Sequence, residues 1–232
     1  MFLFQNRLTK LMGVLLVFLA GCSNGETTTD RNAEATTPDS TVHVLLQTVQ
    51  GDIEIAVFPD KAPISATQFI AYVEGGFYNG ASLYRSTKKV PGKSSIGVVQ
   101  GGLLAQTMAG DGSEYAAPQT PLPPIAHEST DKTGIPNERG TIAYARLAPG
   151  SAGSEFFFNM IDNEVLDTGK GGPDRDGHGY ATFGRVVNGM DVLDAIQDLP
   201  TDGAAGMEML QGQILTEPVI IHRASIVNKQ GG

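Results

Sequence analysis

Cysteine is almost missing from this chain: Cys22 is the single one in 232 residues. That excludes an internal disulfide framework, and everything after Cys22 lacks a thiol for nucleophilic chemistry. The chain also has no H-E-x-x-H and no G-x-S-x-G, so a hydrolase or metalloenzyme reading has little support. The run Gly150-Ser151-Ala152-Gly153 is only a small-residue loop. Basic residues are outnumbered, 16 Lys and Arg against 25 Asp and Glu, giving a formal net charge of −9. This acidity argues against nucleic-acid binding and against a polybasic membrane patch, although it names no substrate. Long apolar runs are lacking as well: Leu11 to Ala20 is too short for a comfortable membrane span. Residues 23–41 contain no Leu, Ile, Val or aromatic. Such a segment cannot bury enough apolar surface to offset the entropy of ordering it, and reads as a flexible tether.

The N-terminus nevertheless carries a pattern. Arg7 and Lys10 precede the apolar run, which closes on Leu19-Ala20-Gly21-Cys22. This resembles the signal and lipobox of bacterial lipoproteins. The resemblance implies that residues 1–21 are a signal peptide cut before Cys22, whose thiol carries a diacylglycerol. Residues 22–41 would then hold a domain off the lipid surface. The competing readings are an ordinary signal peptide or a buried apolar helix. Ser23 stands where an inner-membrane retention signal would usually have aspartate. That favours a location in the cell envelope on the outer membrane, facing the periplasm, if the cell has one. Loss of residues 1–21, with two basic and no acidic side chains, takes the formal charge from −9 to −11.

A domain is expected over 42–228. Val42 to Val49 and Ile53 to Phe58 are apolar-rich runs around Gln50-Gly51-Asp52, a hairpin signal, with Ile53, Ile55 and Val57 on one strand face. Pro63 suits the first turn of a helix. Ala66, Phe69, Ile70 and Val73 fall at helical spacing, and Gly75-Gly76 ends the pattern. Residues 86–95 form a polar loop whose three lysines read as solvated. A strand then resumes over Ile96 to Gln100. Residues 103–139, stiffened by Pro118, Pro121, Pro123 and Pro124, read as a surface excursion with little regular structure, ending in a satisfied surface pair, His127 and Glu128. Asp174, Asp176 and His178 alternate in a glycine-rich stretch. The late bidentate glutamate of a calcium loop is absent, so a glycine-rich connection without metal is expected. Tyr180 to Val187 is a strand, Val192, Leu193 and Ile196 mark a second helix, and Gln213 to Val227 closes the domain. Many strands and two helices indicate a mainly β fold, a closed barrel with helices over its ends.

The chain is organised around Arg139 to Met160. Thr141 to Ala145 are strand-like, Ala148 to Ser154 form a loop, and Glu155 to Asn159 are strand-like again around Phe156-Phe157-Phe158. Side chains alternate along a strand, so Phe157 points opposite to its two neighbours. One face can feed a core while the other offers an aromatic wall, unless both faces are core.

Three ordered blocks resemble the cyclophilins, the cyclosporin-binding class of peptidyl-prolyl isomerases. The first is Gly76-Phe77-Tyr78-Asn79-Gly80, Tyr84-Arg85 and Val99-Gln100-Gly101-Gly102. The second is Gly140 to Ala145 with Ser154-Glu155-Phe156-Phe157-Phe158, and the third is Leu166-Asp167 with Tyr180 to Val192. Together they span roughly residues 42 to 228. The resemblance implies an eight-stranded antiparallel barrel capped by two helices, no cofactor, and proline-containing polypeptides as partners. By residue it implies that Arg85 is the catalytic donor and that Gln100 orients it. Phe157 would be the pocket floor, Val98 and Leu166 its walls, Tyr180 its rim, and the main chain of Arg146 a partner for extended peptide. A monomer is expected, bound to the membrane through Cys22 alone.

The chain departs from the family pattern in several places. Tyr84 replaces the common histidine, and Gly97-Val98 aligns with a Phe-Met pair, losing an aromatic wall. Glu155 replaces glutamine at the edge of the substrate site, where a carboxylate could pair with Arg85 and either hold it or compete with substrate. Val165 stands where cyclosporin-sensitive members have tryptophan, which implies weak drug binding. Two functions remain: an isomerase assisting the folding of exported proteins, or a catalytically weak module that holds Pro-containing segments.

Overall fold

The computed structural model describes residues 40–90, 94–104, 120–171, 176–205 and 208–227. The expected signal peptide, Cys22 and nearly all of the tether lie outside these residues, as do Pro118 and Asp174. Eight strands are present: β1 (Val42–Thr48), β2 (Gly51–Val57), β3 (Ser82–Thr87), β4 (Val98–Gly102), β5 (Thr141–Tyr144), β6 (Phe156–Asn159), β7 (Thr182–Asn188) and β8 (Ile214–Val227). They close into a barrel in the order β1-β2-β7-β5-β6-β4-β3-β8, every pairing being antiparallel. Closure removes the exposed edges that an open sheet would leave.

The hairpin of β1 and β2 follows the alternation of its sequence. Val44 pairs with Ile55 and Leu46 with Ile53, and all four side chains are fully buried in the barrel interior. Helix α1 (Pro63–Glu74) begins with Pro63 and ends at Gly75. Its Phe69 packs edge-on to Phe156 and tilted on Phe183, centroids 5.6 Å and 5.1 Å away. Helix α2 (Thr130–Thr133) is a single turn closed by left-handed Gly134. Helix α3 (Met190–Gln197) sends Leu193 and Ile196 into the same core.

Glu128 corrects one expectation. It is buried and does not pair with His127: its carboxylate accepts from the N–H groups of Ile64 and Ser65 at 3.1 Å and 2.6 Å. Ala62, the residue preceding α1, has no capping side chain, so a residue more than sixty positions away satisfies two of the helix's orphan donors. His127 instead bonds the His178 carbonyl at 2.9 Å and stands edge-on to the His178 ring.

Candidate active site

Registry builds the site. Arg85 on β3 faces Gln100 on β4, Gln100 faces Phe157 on β6, and Phe157 faces Ala143 on β5. Residues directly opposite one another share a face of the sheet. One transverse row of four neighbouring strands therefore delivers a cation, an amide, an aromatic ring and a methyl to the same side. Phe156 and Phe158 belong to the barrel interior with Tyr144, Ile142 and Val99. Phe157 belongs to a separate small cluster with Val98, Ala143 and Leu166, flanked by Ile96, Ala145, Val165 and Tyr180. The row thus lies on the outer wall, away from the main core.

A bulge in β3 aims the arginine. Leu83 pairs with Gly101 and Arg85 with Gln100, so β3 advances two residues while β4 advances one. Such a bulge bends the strand and re-aims its side chains. Tyr84 and Arg85 can then both serve the outer wall while Leu83 stays in the interior.

The guanidinium of Arg85 is held from two sides. Its Nη1 donates to Gln100 Oε1 at 2.7 Å. Its Nε and Nη2 both donate to Gln213 Oε1, at 2.9 Å and 2.6 Å. Gln213 is anchored in turn by donating to the Met209 carbonyl at 2.8 Å. Burial pulls the Arg85 pKa below its ordinary value, opposed by Tyr84 and Tyr180, yet a guanidinium starts so high that it stays cationic. Three of its five N–H donors are engaged. Among the described residues no protein acceptor takes the other two, one on Nη1 and one on Nη2.

Arg85 and Gln100 line a cavity of about 530 Å³ together with Ile96, Val98, Ala145, Phe157, Leu166 and Tyr180. Val98, Phe157 and Leu166 are at most 4 % exposed. Phe157 meets Tyr180 edge-on at 5.6 Å. The position of Leu166 is fixed from beneath by amides. Asn137 Nδ2 donates to the Leu166 carbonyl at 3.1 Å, Asn159 Nδ2 to Asn137 Oδ1 at 3.2 Å, and Asn163 Nδ2 to Asn159 Oδ1 at 2.7 Å and the Gly97 carbonyl at 2.9 Å. All three amides are almost fully buried, and a satisfied buried network of this kind rigidifies what it holds.

The rim is clamped by an ion pair. Arg146 lies just past β5, its side chain almost fully buried, 2.6 Å from Asp176 and 4.8 Å above the Tyr180 ring. It also bonds the carbonyl of Gly179. The Asp176 carboxyl is held well below the usual carboxylate range, chiefly by its hydrogen bonds from Arg146. Among the described residues the N–H and C=O of Arg146 itself take no backbone partner.

Glu155 departs from the expectation of a pair with Arg85. Its Oε1 accepts from Leu103 N–H, Leu104 N–H and Ser154 Oγ–H at 2.8, 3.0 and 3.0 Å, and its Oε2 from the Tyr84 hydroxyl at 2.7 Å. Arg85 reaches the two glutamines instead. Gly97 also differs: a side chain there would face Ile161 and Gln197, while Ile96 and Val98 line the cavity. Ile96, one residue earlier, supplies a wall there, aliphatic rather than aromatic.

Sequence reasoning missed Gln213 and the role of Tyr84. Gln213 reaches Arg85 across 128 positions, and no local pattern marks it. Among the described residues, no group of three His, Cys, Asp or Glu is arranged to hold a metal ion.

A closed antiparallel barrel carries, on its outer wall, an apolar pocket beside a restrained arginine, a site shaped to take an apolar group next to a polar one. The family model for cyclophilin type peptidyl-prolyl cis-trans isomerases matches residues 43–226. The chain is 37 % identical over 191 residues to peptidyl-prolyl cis-trans isomerase A of Dickeya dadantii (strain 3937), covering 82 % of this chain and 87 % of that one. It is 36 % identical over 184 residues to peptidyl-prolyl cis-trans isomerase B of Escherichia coli (strain K12), covering 79 % and 98 %. A crystal structure of a Cryptosporidium parvum cyclophilin type peptidyl-prolyl cis-trans isomerase superimposes with a TM-score of 0.58 at 20 % identity, over 82 % of this chain and 99 % of the other; it speaks to the fold alone. The chain belongs to the cyclophilin-type peptidyl-prolyl cis-trans isomerase family, and its enzymatic class is peptidyl-prolyl cis-trans isomerase.

Proposed function

We propose that the protein turns X-Pro bonds by presenting Arg85 to the twisted amide, and that it does so for exported polypeptides while anchored to a membrane through Cys22. Rotation about the bond faces a barrier of about 18–20 kcal/mol set by amide resonance, and uncatalysed exchange takes tens to hundreds of seconds. No nucleophile, metal or proton transfer is required. The catalyst must bind the twisted amide better than either planar form. Twisting returns electron density to the prolyl nitrogen, which becomes a hydrogen-bond acceptor. A fixed cationic donor beside it stabilises that state selectively.

The observation that carries this reading is the restrained fork of Arg85, with two N–H groups that no described residue accepts from, at the edge of the apolar cavity. In this reading the proline ring rests on Phe157, between Val98 and Leu166. Gln100 fixes Arg85 and meets the substrate carbonyl, and extended peptide pairs with the main chain of Arg146 under the rim of Tyr180. The Cryptosporidium parvum relative has also been crystallised in the presence of the dipeptide Ala-Pro, a ligand of the size this pocket suits.

Exchange spectroscopy on a short Ala-Pro peptide tests the chemistry. Wild type should accelerate cis-trans exchange, and Arg85→Ala should abolish most of the acceleration while still shifting peptide resonances. Wild-type protein that shifts resonances without accelerating exchange would make it a binding module. The anchor is tested separately: Cys22→Ser should move the protein from the membrane to the soluble fraction, and unchanged fractionation would remove Cys22 from the account.

A further inference from the structure

We infer that Glu155 is a positioning residue for the isomerase reaction, acting on Arg85 through Tyr84 and Gln100. The inference rests on Arg85 being the catalytic donor. Four groups from two strands and a loop form a single hydrogen-bonded chain. Arg85 Nη1 donates to Gln100 Oε1, Gln100 Nε2 donates to Tyr84 Oη, and Tyr84 Oη donates to Glu155 Oε2, each link 2.7 Å long. Every donor points from Arg85 toward Glu155, so the links polarise one another in the same sense.

The carboxylate sets that sense. An ionised glutamate can only accept. The Tyr84 hydroxyl must therefore spend its proton on Glu155, and its oxygen is left to receive the amide N–H of Gln100. That turns the Gln100 carbonyl toward Arg85, the one orientation that holds the guanidinium. An amide at position 155 could instead donate to Tyr84 and let the chain run backwards, presenting N–H groups to a cation.

The surroundings are built for this charge. Two consecutive main-chain N–H groups, of Leu103 and Leu104, point at Glu155 Oε1. Gly102 bends the chain so that they can, at φ +144°, and a Cβ there would collide with the Glu155 carboxylate. Burial nevertheless raises the Glu155 pKa, more than its hydrogen bonds from Tyr84, Ser154, Leu104 and Leu103 lower it. These donors only partly offset the burial of the charge, so the carboxylate is a poor choice for stability alone. Its use lies in what it does to Tyr84.

The test is a double-mutant cycle with the whole protein, reading kcat and KM for an Ala-Pro peptide and the thermal midpoint. Glu155→Gln and Tyr84→Phe should each lower kcat about five- to tenfold, the worth of one hydrogen bond to a positioned partner, with KM little changed. The double variant should be no slower than the slower single variant. The midpoint of Glu155→Gln should not fall, because the substitution removes a buried charge. Additive losses, a loss confined to KM, unchanged kcat, or a fall in midpoint that tracks the loss of rate would each overturn the proposal. Arg85→Ala runs alongside. If it keeps wild-type rate, the arginine reading itself fails; if it loses rate while the cycle is additive, only the role of Glu155 fails.

Should Glu155→Gln not fold, the pH profile replaces it. Wild-type kcat should decline on acidification through the raised Glu155 titration, and Tyr84→Phe, in which Glu155 no longer reaches Gln100, should lack that limb. Among the described residues the other titratable groups facing this carboxyl are the phenols of Tyr84, Tyr72 and Tyr78, none of which titrates in acid. Identical acid limbs in the two proteins would overturn the proposal.

Discussion

The two faces of β6 take the same residue type to opposite ends. Phe156 and Phe158 are fully buried in a core shared with Phe69, Tyr144 and Phe183. Phe157, between them, is nearly as buried but looks into a cavity beside Arg85. Burial therefore does not separate the core phenylalanines from the one at the cavity; the partners across the ladder do. Phe158 faces Val99 and Ile142, whereas Phe157 faces Gln100 and Ala143. Inner residues are chosen to fill volume. On the outer wall a small alanine leaves room, a glutamine orients an arginine, and amides beneath fix the walls.

Emptying the outer row should cost rate, and emptying the inner row should cost stability. Arg85→Ala should lower kcat/KM at least about a hundredfold with the fold retained, since a preorganised donor of this kind contributes several kcal/mol in the transition state; exchange kinetics and circular dichroism read both. On the inner face the loss should fall on stability instead. Phe158→Ala should cost about 3–5 kcal/mol in denaturant unfolding, with kcat/KM of the folded fraction unchanged. Phe157→Leu should do the reverse, losing about tenfold in kcat/KM for less than about 1.5 kcal/mol of stability.

Smaller effects sharpen the picture. Asp176→Asn should release the Arg146 clamp and cost a few-fold in kcat/KM. Because the Asp176 carboxyl is held below its ordinary range by Arg146, the clamp is complete above the ordinary carboxylate value of about 3.9 and is lost only as pH falls through the depressed one. A rim contribution that persists at about pH 4 would fit, and one already gone there would not. Glu128→Ala should cost about 1 kcal/mol, as loss of a helix cap does, without touching rate. Lys88→Ala breaks an exposed pair with Asp198 and should stay within about 0.5 kcal/mol.

The alternation of Ile53, Ile55 and Val57, the helical spacing of Phe69 and Val73, and the opposed orientation of Phe157 were all readable locally, because each depends on a period of two or 3.6. The barrel followed from counting such segments. What was not readable depends on contacts between distant segments. Nothing near Gln213 says that it will share a guanidinium with Gln100. Nothing near Glu128 says that it will cap a helix begun at Pro63. The bulge at Tyr84 has no marker in Leu83-Tyr84-Arg85, although it aims the arginine. Glu155 was legible as a departure from the family pattern. Its partner was not, since the choice between Arg85 and Tyr84 turns on which side chain the bulge brings within reach.

In the proposed mechanism a guanidinium fork, fixed by two glutamine carbonyls, makes the outer pocket a catalyst. Arg85→Lys tests it most directly, because it keeps the charge and removes the fork. Exchange spectroscopy on an Ala-Pro peptide should show a rate reduced at least about tenfold from wild type, with peptide affinity little altered. Wild-type kcat in Arg85→Lys would show that charge alone suffices and would contradict the account.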